Sequence, residues 1–354
     1  MYENITFEDI LDRMLDRIPD DYDKREGSVI YDALAPAAVE LQNMYIELDY
    51  IMEQSFADTA TREYLIRRAA ERGITPQEAS PATLKAESLP TTLDIPIGSR
   101  YSLDDLNYVV TAKVSNGIYQ MQCETAGTEG NQHLGDLIPI DYVDGLESIA
   151  LTEVLIPGED DEDTEVFRAR YFASFESKAY GGNVDDYLEK TNSLEGVGAT
   201  KVTPVWNGGG TVKLTIINSD YGKASDTLVA AVQNAIDPTQ DATGQGIAPI
   251  GHIVTVEAAD TVTCNISTSI TFQDGYSWNT LETAITEAVE AYFLTLRQSW
   301  ASESNTVVRT SQINSKITNI EGVLDVTDTE INGSESNLEL DWNEIPILGV
   351  ITNE

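Results

Sequence analysis

Side chains that could do acid–base or covalent chemistry are unevenly supplied in this chain. Its 354 residues include 60 Asp and Glu, 21 Lys and Arg, two His and two Cys. Histidine is the usual general base near neutral pH and the commonest metal ligand. His133 stands in GNQHLGD and His252 in PIGHIV, with neither a serine elbow nor an HExxH pattern beside them. They read as a loop histidine and a strand-edge histidine. Cys123 and Cys264 lie far apart without ligand spacing, so neither a disulfide scaffold nor a zinc site is indicated. Carboxylates are so numerous that acid pairs arise by chance, and no pair stands in a context expected to raise its pKa.

The remaining motifs read as structure. The acidic run Asp160 to Asp163 lacks the alternating ligands and central Gly of an EF-hand loop; it suits a helix N-terminus, where exposed N–H groups and the dipole favour carboxylates. GQGIAPIG, Gly244 to Gly251, lacks the Lys-Ser/Thr ending of a P-loop and precedes a strand, so Pro249 and Gly251 read as strand-entry punctuation. NGGGT, Asn207 to Thr211, reads as a hairpin loop. No catalytic residue, cofactor or metal is expected. A formal net charge of −39 argues against nucleic acid or an anionic membrane as partner, because both carry the same sign. No apolar run approaches the roughly 20 residues of a membrane span, and the first residues are acidic where a signal peptide would be basic.

The elements around these residues fall into four segments with an α+β character: helical at 1–80, β-rich at 81–158, then α+β at 159–260 and at 261–354. Phe7, Ile10, Leu11, Met14, Leu15 and Ile18 share one helical face, with Thr6 and Asp9 placed as a capping box and Pro19 as the stop. After Ser28, a second helix carries Ile30, Leu34, Ala37, Leu41, Met44, Leu48, Ile51 and Ser55 at alternating steps of four and three. That 3.5-residue repeat is a coiled-coil seam, serving either its own domain or another chain. Pro36 predicts a kink there, or a helix that begins there. TREYLIRRAAERG gathers Arg62, Arg67, Arg68 and Arg72 in an otherwise acidic chain. It is either a solvated face paired with Glu63 and Glu71, or a patch that meets an acidic face such as Asp160 to Asp163 during self-assembly.

From residue 81 the period changes to two. LNYVVTAKV and IYQMQCET flank Asn116-Gly117 as a hairpin with a type I′ turn, LDIPIGSRYS and LESIALTEVLIPG read as further strands, and AGTEGNQHLGD as an irregular loop. GEDDEDTEVFRARYFASFES returns to helix. Beyond it, helix, Glu-Gly-Val, strand, turn, strand occurs twice, around Glu195-Gly196-Val197 and Glu321-Gly322-Val323. Two related α+β sandwich units follow, each a helix pair on an antiparallel sheet.

The order of these features resembles the baseplate J-like family, the wedge proteins of contractile phage tails and phage-tail-like bacteriocins (tailocins). The resemblance spans nearly the full chain, through REGSVIYDALAPAAVELQNMYIELDYIMEQSFADTATREYLIRRAAERGI, AGTEGNQHLGDL, GEDDEDTEVFRARYFASF, GGNVDDYLEKTNSLEGVGATKVTPVWNGGGTVKLTI, IEGVLDV and EIPILGVI. The family commonly carries an Arg near the position of Gly73, where Ile74-Thr75-Pro76 follows here. The resemblance implies a structural role without catalysis. Copies would pair within a wedge, join a second wedge protein, and link wedges into a ring around the hub, touching hub and sheath-initiator proteins. The ring would support the sheath and relay the contraction trigger. The chain would be assembled in the host bacterial cytoplasm and end in the virion or tailocin baseplate. The candidate interface residues, from the helix seam and the basic island, are Ile30, Leu34, Leu41, Met44, Leu48, Ile51, Arg62, Arg67, Arg68 and Arg72. A tail-associated glycan-binding or hydrolytic enzyme using Asp/Glu pairs is the alternative, disfavoured by 8% aromatic residues and two histidines.

Overall fold

A computed structural model describes residues 2, 4–176 and 181–353, in two compact units: residues 1–77 with 162–176, and residues 78–161 with 177–354. In the first unit, α1 (Phe7–Leu15) forms where its apolar residues share a face, burying Ile10 and Leu11. Thr6 Oγ1 accepts from Asp9 N at 3.2 Å while the Asp9 carboxylate accepts from Thr6 N at 3.0 Å, the expected capping box. α2 (Val29–Ser55) is capped by Ser28, whose hydroxyl accepts from Tyr31 N at 3.2 Å. It does not begin at Pro36 but runs through it, 27 residues or roughly 40 Å long. Tyr31, Leu34, Ala35, Ala38 and Tyr45 pack with Ile10, Leu11 and Met14 of α1.

α3 (Arg62–Ala70) and α4 (Thr164–Glu176) close a second small core. Leu65 and Ala69 of α3 meet Phe167 and Tyr171 of α4, each pair spaced by four so that it shares a helical face, with Ala57 and Ala60 beside them. The sequence pattern places α4 at the start of the first α+β segment, whereas the structure groups residues 162–176 with the helical unit. α4 belongs there because its buried face and its arginines find their partners in that unit.

The second unit begins with a seven-stranded sheet. Its strands are β1 (Pro81–Leu89), β2 (Arg100–Leu103), β3 (Leu106–Ser115), β4 (Ile118–Ala126), β5 (Gly135–Asp136), β6 (Ile138–Pro139) and β7 (Ser148–Ile156), in the order β5-β7-β1-β4-β3-β2-β6. β3 and β4 pair across Asn116-Gly117 as expected. The turn is not type I′, however: Gly117 takes φ +73° while Asn116 keeps a negative φ, and a register shift between Lys113 and Ser115 absorbs the twist. Of LDIPIGSRYS only the last part is strand. Pro96 cannot donate to a ladder, and the preceding residues are fastened by the buried Tyr119, whose hydroxyl donates to Leu93 O and accepts from Ile95 N, both at 3.0 Å. Leu84, Tyr101, Tyr108, Tyr119, Met121 and Ile149 fill this core.

The first α+β unit comprises α5 (Val184–Asn192), β8 (Val197–Pro204), β9 (Thr211–Asn218), α6 (Asp226–Ile236) and β10 (Ile253–Ala258). The second comprises β11 (Asp260–Phe272), α7 (Trp278–Ser299), β12 (Val307–Val308), α8 (Thr310–Thr318), β13 (Val323–Ile331), β14 (Leu338–Glu339) and β15 (Glu344–Asn353). Each lays two helices on a three-stranded sheet, but the sheets are mixed rather than antiparallel. β9 pairs antiparallel with β8 and parallel with β10; β11 pairs antiparallel with β13 and parallel with β15. The Glu-Gly-Val echo is real, since Gly196 and Gly322 both leave a helix with positive φ, +79° and +95°, and lead into β8 and β13. Chain order differs between the two: the central strand follows the echo in the first unit and precedes it in the second, so β15 lies across β11 from β13. NGGGT joins β8 to β9 as the expected hairpin, and β10 starts just after Gly251. Among the described residues no helix is long and apolar enough to cross a membrane.

Candidate functional site

The seam of α2 divides between two surroundings. Leu34 packs toward α1 and Ile30 is half-buried. Leu41, Met44, Leu48 and Ile51 are exposed, Met44 at 59% and Ile51 at 56%. Val39, Ile46, Tyr50 and Phe56 are exposed as well, so the helix presents apolar side chains well beyond the stripe that α1 covers. Patches of this kind mark protein contact surfaces. Near its C-terminal end, Phe56, Ala57, Asp58, Arg68, Tyr171, Phe172 and Phe175 line an open cleft of about 430 Å³. Tyr171 meets Phe172 and Phe175 edge to face at 5.5 and 5.1 Å between ring centres.

The four arginines of the basic island have separate tasks. Arg62 donates to Glu162 O at 2.7 Å and to Thr164 Oγ1 at 3.3 Å, holding the start of α4. Arg72 donates to Ser174 O at 2.9 Å and stacks over the Phe175 ring at 3.9 Å. Arg67 pairs with Glu63 at 2.9 Å and Arg68 with Glu71 at 3.7 Å, the partners expected for a solvated face. Arg67 and Arg68 are therefore the two that lie open to a partner. Sequence reasoning missed Arg168 and Arg170, which do more inside the unit. Arg168 donates to the carbonyls of Ala57 and, at 2.9 Å, Ala60; Arg170 pairs with Glu162 at 2.7 Å and donates to Thr75 O at 2.7 Å. The FRAR string was their only signal, and nothing local revealed partners about a hundred residues away.

The acidic run is committed rather than poised. Asp163 Oδ1 accepts from Glu165 N at 2.7 Å, which is the helix cap; the others hold backbone elsewhere. Asp160 takes Thr128 N at 2.8 Å, Asp161 takes Ala79 N at 3.0 Å, and Glu162 takes Gln77 N at 3.1 Å. Burial alone would raise the Glu162 carboxyl, but the Arg170 guanidinium and the Gln77 N–H hold it below the usual range. Two neighbouring carboxylates, Glu159 and Asp220, correct the expectation that no acid pair stands where its pKa would rise: burial pushes both up. Glu159, half-buried, accepts from Gly196 N at 3.0 Å; burial pushes its carboxyl up, and the neighbouring Glu195 and Asp220 add to the push. A raised carboxyl is what acid catalysis uses, yet here it anchors a backbone turn.

The histidines sit as expected, in a loop and at the entry to β10. His133 Nδ1 lies 2.9 Å from Asp104 Oδ2, and His252 Nδ1 lies 2.7 Å from the Tyr187 hydroxyl. Both cysteines are buried, and among the described residues no group of three or more His, Cys, Asp or Glu is placed to hold a metal ion.

The exposed apolar row of α2 is the chain's candidate contact surface, carried by a chain whose later segments are mixed α+β units. Residues 179–258 match the Baseplate J-like central domain and residues 264–354 the Baseplate J-like protein C-terminal domain. The chain is 41% identical over 353 residues to "Uncharacterized protein YqbT" of Bacillus subtilis (strain 168), covering 99% of this chain and 98% of that one. "Phage-like element PBSX protein XkdT" of the same strain is similar to the same extent. "Mu-like prophage FluMu protein gp47" of Haemophilus influenzae (strain ATCC 51907 / DSM 11121 / KW20 / Rd) is 28% identical over 48% of this chain and 50% of that one. The chain belongs to the baseplate J-like family, and its class is that of a phage baseplate structural component.

Proposed function

We propose that this chain is a wedge component of a contractile injection particle, acting without catalysis. Copies pair within a wedge, join a second wedge protein, and link wedges into a ring around the hub. That ring supports the sheath and relays the contraction trigger, with contacts to hub and sheath-initiator proteins. The helical segment carries the main protein contacts, and the two α+β segments bridge to neighbouring copies. The observation that carries this reading is α2, whose Leu41, Met44, Leu48 and Ile51 remain uncovered by their own chain. Burying such a row offers about 1.5–3 kcal/mol per large side chain, a drive for another chain to cover it. The relative from a phage-like element supports the particle type. The role is tested by electron microscopy of particles carrying a label on this chain. Label ringing the hub at the sheath's end is expected; label absent from the particle, or on fibres alone, would overturn the wedge role.

A further inference from the structure

A sheet has two faces, and residues alternate between them along each strand. In the first α+β unit, Val202, Val212, Leu214 and Val254 point to the face that α5 and α6 cover. The alternate residues form the other face, and the second α+β unit covers only part of it. There Ala199 and Ile217 meet Trp300 and Ile345, and Lys201 lies against both Trp300 and Trp342. Further along, toward the hairpin between β8 and β9, Ile253 is exposed and Trp206 folds over Lys213, with 4.5 Å from ammonium to ring centre. Parallel pairing of Thr211 with Ile253 sets the hairpin beside the entry to β10, where Ile253 N donates to Gly210 O at 2.8 Å. Val205, Trp206, Ile250 and Ile253 are therefore gathered at one end of the sheet, all exposed, Ile250 at 83%.

Two observations set this end apart. The first is backbone strain. Val205 takes φ +58°, a conformation that β-branched residues resist and that Asn or Gly enter readily, yet its side chain is 62% exposed. Val there strains the fold without being buried by it. The hairpin is held firm around it: Val205 N donates to Thr211 O at 2.7 Å, and Thr211 Oγ1 accepts from Asn207 N at 3.0 Å and donates to Gly208 O at 2.7 Å. The second is charge. In a chain with 60 acids among 354 residues, no Asp or Glu occurs from Gly196 to Ser219 or from Ala242 to Val256. Glu257, the next acid along β10, is paired with Lys213 at 3.0 Å.

We propose that this hairpin end is a contact surface for the same end of a second copy, the two related by a two-fold axis with Trp206 at the centre. The inference rests on the reading that the α+β segments bridge neighbouring copies, and it names the surface. Charge selects a second copy as the occupant. At −39 per chain, copies repel wherever carboxylates face one another, and a two-fold sets this acid-free end against itself. Tryptophan among apolar neighbours is enriched where the binding energy of protein contacts concentrates, which places Trp206 at the middle of the patch.

The test uses the full chain carrying L41D/L48D, which takes the α2 row out of the measurement. It is run in about 1 M NaCl, where the Debye length is ~3 Å and long-range repulsion is screened. In sedimentation velocity this chain is expected to dimerise, and W206A to weaken the dimer by about tenfold or more. V205N should weaken it as well without lowering the melting temperature, because Asn accepts the positive φ. That pair of readouts separates a contact residue from one that only braces the hairpin. L324A, at an exposed residue of β13, should change nothing. A dimer that W206A and V205N leave intact, or that L324A weakens equally, would overturn this surface while leaving pairing standing. A monomer in this background, beside an unaltered chain that pairs, would also overturn it and leave pairing to α2. An unaltered chain that stays monomeric at every concentration would overturn pairing itself, and this surface with it.

Discussion

At the scale of single residues, the group furthest from its ordinary chemistry is Lys201. It is buried on β8, with its ammonium 4.6 Å from the Trp300 ring centre, 4.5 Å from that of Trp342, and 2.8 Å from Trp342 O. Burial pushes the ammonium down to about 8, with Glu303 pulling the other way. Below pH 8 both folded and unfolded chains hold the proton, and the cost of burying the charge is present in full. Between about 8 and the ordinary 10.5 the folded chain gives up the proton first, so stability rises with pH across that window. The denaturation midpoint of wild type minus that of K201M should therefore rise from pH 8 to 10; a flat difference would mean the indole faces keep the ammonium at its ordinary value. Replacing His133 and His252 by Ala together should leave tail assembly and killing unchanged, and loss of killing by well-formed particles would restore the enzymatic alternative.

At the scale of elements, the pattern of what could be read follows the range of the contacts. The Thr6–Asp9 capping box, the Ser28 cap of α2 and the NGGGT hairpin are fixed by neighbours in sequence, and all were legible. β1 was not. Its inward residues are Ala82, Leu84, Ala86 and Ser88, three of them small, so the hydrophobic alternation is faint although the strand lies inside the sheet. The partners of α4 were hidden for another reason: Phe167, Arg168 and Arg170 meet residues about a hundred positions earlier. Arg170 also closes a local pair, with Glu162 eight residues earlier, whose weight is measurable. R170A leaves the Glu162 carboxylate, 4% exposed, without its ion-pair partner, with Arg62 the remaining nearby cation. Such losses cost about 3–5 kcal/mol when fully buried, and about 2–3 kcal/mol is expected here because Arg170 is partly exposed. The wild-type advantage is present above the ordinary value of 4.5 and disappears as pH falls through the depressed folded value, which urea unfolding at pH 7 and pH 3 would reveal. The two Glu-Gly-Val turns are testable similarly. A Cβ at Gly322 would lie 2.4 Å from the Tyr276 ring at φ +95°, whereas Gly333, at φ +76°, has nothing within 4 Å. G322A should therefore destabilise by clearly more than the roughly 1 kcal/mol expected of G333A in thermal unfolding.

For the whole molecule, charge decides how copies meet. Repulsion at −39 acts at long range, and exposed apolar rows act only on contact, so association should be slow at low salt and faster as salt rises. Arg62 and Arg72 are spent within the helical unit, which leaves Arg67 and Arg68 as the local offset. Reversing both to Glu should slow association and steepen its salt dependence while circular dichroism stays unchanged; equal rates and slopes would make the island a solvated face.

The central issue is whether the α2 seam is covered by another protein, and L41D/L48D tests it most directly. Both side chains are exposed in the isolated chain, at 38% and 42%, so folding tolerates the change. Electron micrographs of particles from cells carrying only this variant should show no complete tails, with the chain itself folded and abundant. Tails in normal number and form would mean that the seam faces solvent in the particle.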